Sequence, residues 1–203
     1  MVDIISLPAS PRYNAGTPYL LSQAADLTSP LGGATQRVLR LGSRFGIDVV
    51  YPAMTYSDGQ AFLARMIAAE AAPVAIEFPQ RGFSPGGPGA PIVNGNGQTG
   101  GQLALRGVTV GYAFVEGQFF DFTYTGDGRR YVHIVTDGGI AAGDGTVTLG
   151  IAPLMRVSPN DGDPLEVGAP MLEGFIQFAS KKLPWTIEMV RRVGVKFSVV
   201  EDR

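Results

Sequence analysis

Cysteine is missing from this chain. That excludes a disulfide framework and every thiolate metal site, so core packing and backbone pairing must hold the fold together. Histidine and tryptophan occur once each, at His133 and Trp185. Charge is scarce too, at 17% of residues with a formal net charge of −2. There is no basic footprint for nucleic acid and no strong pull toward an anionic membrane. No apolar run approaches the roughly 20 residues that a membrane-spanning helix needs. The start, Met1-Val2-Asp3-Ile4-Ile5, lacks the basic residues and long apolar core of a secretory signal. The expectation is a protein made in the cytoplasm and kept there unless it leaves within a larger particle.

What the chain does have is apolar residues, 45% of 203. Ample apolar content beside few charges suggests that part of the surface is covered by other chains. Residues 103–156 carry the clearest pattern. Phe120, Phe122 and Tyr124 alternate with Asp121, Thr123 and Thr125, and Gly126-Asp127-Gly128 turns the chain into Tyr131-Val132-His133-Ile134-Val135. After further glycines comes Thr146-Val147-Thr148-Leu149-Gly150-Ile151. A period of two with turn residues between the runs predicts antiparallel strands.

Around this ladder the pattern varies. Residues 1–33 hold Pro8, Pro11, Pro18 and Pro30, and read as an extended N-terminal arm or irregular edge. Gln36–Leu41 and Arg44–Tyr51 flank Gly42-Ser43 and predict a hairpin. Ser57 and Gln60 have capping-box spacing ahead of Phe62, Leu63, Met66 and Ile67, which share one helical face expected to cover a sheet. Val74–Phe78 predicts a short strand. Residues 79–102 hold four prolines and eight glycines and read as a long loop insertion; such loops are either floppy or ordered by a partner. Met171–Phe178, Trp185–Val190 and Val193–Val200 predict three closing strands. With no tandem repeat and no clean linker, residues 1–203 read as a single, mostly β domain with one packed helix and long Gly/Pro-rich loops.

Catalytic chemistry finds little support. His133 has no acid at a recognisable catalytic spacing, so a satisfied or exposed strand histidine is expected. Asn160-Asp161-Gly162-Asp163 lacks the distal glutamate of a calcium loop, and aspartates favour turns for local reasons. Gly86-Gly87-Pro88-Gly89 lacks the Lys-Ser/Thr ending of a phosphate loop. Trp185 and the aromatic strands are expected in cores rather than on sugars. No enzyme, cofactor or metal is expected. Arg129-Arg130 and Arg191-Arg192 sit beside turns, where solvation is the default; in a ring they would face Glu116, Glu173 or Glu188 of a neighbour. Phe83 and Gln98, within 79–102, join these four arginines as candidate subunit-interface residues.

An ordered set of short motifs resembles a known family. It runs Tyr51-Pro52, a helix, Phe78-Pro79-Gln80, Gly87-Pro88-Gly89, Gln98-Thr99-Gly100 and Leu103-Ala104-Leu105-Arg106-Gly107. Gly117-Gln118-Phe119-Phe120, Arg129-Arg130-Tyr131-Val132-His133, Gly145–Pro153 and Trp185-Thr186-Ile187-Glu188 follow. This order resembles distal tail and tail-tip proteins of long-tailed bacteriophages and prophages. The resemblance implies a split antiparallel β-barrel or sandwich with a packed helix, in a hexameric ring that joins the tail tube to the tip or baseplate. It implies partners in copies of itself, the tube and the tip or hub proteins, DNA passing without specific binding, and a place in the virion tail. The alternatives are a tail tube or other minor tail protein, a β-sandwich carbohydrate-binding module and a small cell-wall hydrolase.

Overall fold

The computed structural model describes residues 4–28, 30–178, 183, 191–192 (backbone only) and 195–202. β1 (Ile5–Ser6), β2 (Ala15–Leu21), β3 (Ala25–Leu27), β4 (Gln36–Val38), β5 (Arg44–Val50), β6 (Met54–Thr55) and α1 (Tyr56–Ala68) come first. β7 (Val74–Glu77), β8 (Gly89–Val93), β9 (Gly100–Val108), β10 (Ala113–Phe114), β11 (Phe119–Tyr124) and β12 (Arg129–Asp137) follow. β13 (Gly139–Ile140), β14 (Val147–Met155), β15 (Leu165–Glu166), β16 (Met171–Gln177), β17 (Arg191–Arg192) and β18 (Lys196–Glu201) complete the order.

Two six-stranded sheets dominate. One runs β15-β11-β12-β14-β9-β8 and is antiparallel throughout. It curls until its edge strands nearly meet: the Val93 amide donates to the Asp163 carbonyl at 2.9 Å, and the Gly162 amide to the Val93 carbonyl at 3.0 Å. The result is a nearly closed barrel filled by Val93, Leu103, Leu105, Phe120, Phe122, Leu149 and their neighbours. A glycine makes one bend possible. Gly107 has φ +73°, and a Cβ there would meet the Ala90 carbonyl oxygen, at the irregular β8–β9 pairing that helps the sheet curl.

The second sheet runs β1-β7-β16-β18-β5-β2, with only the β1–β7 pair parallel. Its core joins Ile47, Val49, Val74, Ile76, Leu172 and Val199 to Phe62 and Met66 of the helix and to Ala69 at its C-terminal cap. Val132, Phe119 and Ile134 reach the same core from the barrel's outer side. Thus β11 and β12 bury both faces: Phe120, Phe122, Tyr131 and Val135 point into the barrel, while Phe119, Val132 and Ile134 point into the second core. The predicted alternation in this ladder is present, but it separates two interiors rather than core from solvent.

The mostly β fold with one helix and a barrel is as the sequence indicated. Several details differ. The 36–51 hairpin does not form: β4 pairs with β3, while β5 is a central strand between β2 and β18. Phe45-Gly46-Ile47 is buried on successive residues, as a central strand requires, whereas Gln36–Val38 is wholly exposed. The helix starts two residues early. Thr55 is its cap: the hydroxyl oxygen accepts from the Asp58 amide at 3.3 Å and donates to the Asp58 carboxylate at 2.6 Å. Phe62 and Met66 are buried, but Ile67 is exposed, so the covering stripe is narrower than predicted.

Within 79–102, β8 and the start of β9 are regular strands of the barrel. The barrel tolerates Pro91 because β8 is an edge strand, where a missing donor costs no central ladder bond. Pro18 likewise sits in edge strand β2. Residues 1–33 therefore divide: β1 and β2 belong to the second sheet, and what projects is the β3–β4 hairpin. The predicted strands at 171–178 and 193–200 correspond to β16 and β18, which pair with each other. The predicted strand 185–190, with Trp185, lies outside the described residues.

Candidate functional site

Arg129 and Arg130 open β12 directly after the β11–β12 turn, and both find acids in their own chain. The Arg129 guanidinium lies 3.5 Å from Glu173 and 2.9 Å from Asp202; that of Arg130 lies 3.3 Å from Asp121. The two Arg129 pairs stitch the barrel hairpin to β16 and to the residue after β18, while the Arg130 pair crosses between β12 and β11. Asp121 is fully buried, and burial pushes its carboxyl up to about 6 against the Met171 amide and Arg130, which favour the ionised form. Burial likewise raises Glu173.

Deeper in the same seam, Glu201 lies 2.6 Å from Arg156 and accepts hydrogen bonds from the Val132 and Phe45 amides at 2.9 and 3.4 Å. Burial pushes Glu201 up to about 7, with Arg156 holding it down. The Arg156 guanidinium sits 5.4 Å from the Tyr131 ring centroid. The charges named in this seam pair with one another or with backbone amides of the same chain, and so join the two sheets.

His133 points into the barrel, 1% exposed, between the Phe120 and Phe122 rings at centroid distances of 5.9 and 5.5 Å. Its Nδ1 is 3.4 Å from the Tyr131 carbonyl oxygen, and its Nε2 is buried without a partner. Burial pushes the imidazole down to about 4, so it is neutral at physiological pH. It is walled off from solvent. The turn aspartates are equally occupied. Asp163 accepts from the Thr125 amide and hydroxyl and from the Asn160 amide, while Asp161 pairs with Arg106 and accepts from the Gly95 amide.

Phe83 packs, half-buried, against the barrel core. The Gln98 carboxamide donates to the Asn94 and Ala104 carbonyls at 3.0 and 3.1 Å and accepts from the Ala104 amide at 2.7 Å, which fastens its loop to β9. The segment predicted to await a partner is thus ordered by its own chain at both residues. Arg191 and Arg192 form β17, paired with β6; their side chains, and Glu188, lie outside the described residues.

The surface feature that sequence reasoning missed lies elsewhere. The β3–β4 hairpin is held by a two-pronged Arg37–Asp26 pair at 2.7 and 2.9 Å, and every described residue from Asp26 to Leu41 is exposed. It displays Leu27 (57% exposed), Leu39 (64%) and Leu41 (57%), with Leu20 exposed nearby on edge strand β2. A row of aliphatic side chains on an exposed ribbon, at the border of an open sheet, is the pattern of a surface that another chain covers. In sequence Leu39 and Leu41 read as strand residues and Leu20 and Leu27 as part of an extended arm; only their lack of an inner neighbour marks them as one surface.

Taken together, the geometry defines a nearly closed six-stranded barrel, a second sheet and helix sharing one wall with it, and an apolar hairpin arm. Comparison of the chain with protein-family models and with curated proteins finds no match.

Proposed function

We propose that this chain is a non-enzymatic structural subunit of a phage tail, forming a ring of six that joins the tail tube to the tail tip or baseplate. The observation that carries the reading is the apolar arm at the sheet border: an exposed aliphatic ribbon beside an open strand edge favours assembly. Buried ion pairs and a buried histidine support a scaffold role, because the groups able to do acid–base work are held inside. The modest negative charge suits a channel through which DNA passes without being gripped. The aromatic residues Phe120, Phe122 and Tyr131 fill the barrel and offer no platform for a sugar.

Light scattering and negative-stain imaging test this. The expected result is a sixfold annulus with six times the 21.4 kDa chain mass, alone or on added tail-tube protein. A monomer at every concentration, with and without tube protein, overturns it.

A further inference from the structure

We infer that the hairpin arm of one copy lies in the cleft beside β7 of the next, so that copies join head to tail. This rests on the ring reading above and adds the receiving surface. The cleft, about 520 Å³, lies where the chain leaves β1 and crosses toward β2. β1 pairs only with Val74 and Ala75, so the Ile76–Glu77 half of that edge is not covered by β1. There the Tyr13 hydroxyl donates to the Glu77 carbonyl at 2.9 Å. Leu7, Tyr13 and Ile76 supply an apolar lining, and Arg12, Glu77 and Arg81 a charged rim, with Arg12 and Glu77 3.3 Å apart. An apolar floor inside a polar rim is the shape that receives an aliphatic segment.

The arm fits that description and does not use the cleft of its own chain, since Leu27, Leu39 and Leu41 are exposed. Tyr13 precedes β2, and the arm leaves the far end of it. At about 3.3 Å per residue, β2 separates the two by roughly 20 Å. Donor and receiver are therefore different patches of one chain, which makes the contact heterologous; repeated with a closing rotation, it generates a ring. The arm, residues 25–41, comes close to the ~20–30 residues that each side of a standard interface contributes.

The cysteine-free background makes the test direct. Leu39→Cys in the arm and Ala9→Cys at the exposed cleft lining are mixed as two differently tagged full-length chains under mild oxidation, with light scattering run in parallel. The control partner is Ala142→Cys, exposed on a barrel turn. The expected result is at least tenfold more mixed disulfide for Leu39→Cys with Ala9→Cys than with the control, abolished by adding Leu41→Asp to the arm. An assembly that forms with no excess over the control overturns the docking and leaves the ring intact. No assembly at any concentration, with and without added tail-tube protein, overturns the ring, and the docking with it.

Discussion

Replacing His133 by leucine isolates the energetic consequence of a neutral imidazole sealed in an apolar barrel. In the folded chain the ring titrates at about 4 instead of 6.5. A base whose folded pKa is depressed adds stability that is complete above the unfolded value and is lost as pH falls, because the unfolded chain takes up the proton first. Between pH 8 and 4.5 that loss is about 2.5 kcal/mol, with a limiting slope of ~1.36 kcal/mol per pH unit between the two pKa values. Asp121 and Glu201, raised to about 6 and about 7, act in the opposite sense: the native state protonates first, so they add stability as pH falls. Both are present in wild type and variant, so they cancel when the two proteins are compared at each pH. At pH 8 the leucine removes a buried nitrogen with no partner, a gain of ~1–3 kcal/mol, and loses two ring contacts worth ~0.5–1.5 kcal/mol each. His133→Leu should therefore lie within about 2 kcal/mol of wild type at pH 8, and gain about 2.5 kcal/mol on it by pH 4.5. Urea unfolding followed by far-UV circular dichroism at both pH values measures this. A stability difference that does not change with pH refutes the sealed, neutral histidine.

Two further outcomes follow from the seam and the helix. Glu201→Gln leaves the Arg156 guanidinium buried without its counter-charge and should cost about 3–5 kcal/mol in a thermal or chemical melt at pH 8, while the paired change Glu201→Leu with Arg156→Met should recover most of it; a harmless Glu201→Gln speaks against the ion pair. Thr55→Ala should cost about 1 kcal/mol by removing the helix cap, whereas Ser57→Ala should stay within ~0.5 kcal/mol, and the reverse order would restore the Ser57 capping box.

The difference between what the sequence disclosed and what it hid is physical. The β11–β12 ladder was legible because its alternation is unbroken and its partner lies across a short glycine turn. β5 was paired with the wrong neighbour because its partners β2 and β18 are remote in the chain, while β4 lies adjacent and has similar composition. The helix start was misplaced because Thr55 and Ser57 are both hydroxyl residues near the same turn, 3.1 Å apart through their oxygens. Gly and Pro in 79–102 signalled irregular backbone, yet a barrel edge accommodates both. Arg129 and Arg130 stand out beside a turn, and Asp121 lies across the same hairpin from Arg130, but the acids of Arg129, Glu173 and Asp202, are remote in the chain and only the fold brings them near. The arm's leucines could not be distinguished from core leucines until the rest of the chain had folded without them.

The two-sided burial of β11 and β12 has a mechanical consequence. A partition common to both compartments transmits a load from either one to the other, so pulling on the arm side of the second sheet strains the barrel through Val132 and Phe119. Neither compartment can lose that partition and keep its own interior dry, and the chain should yield to force as one piece.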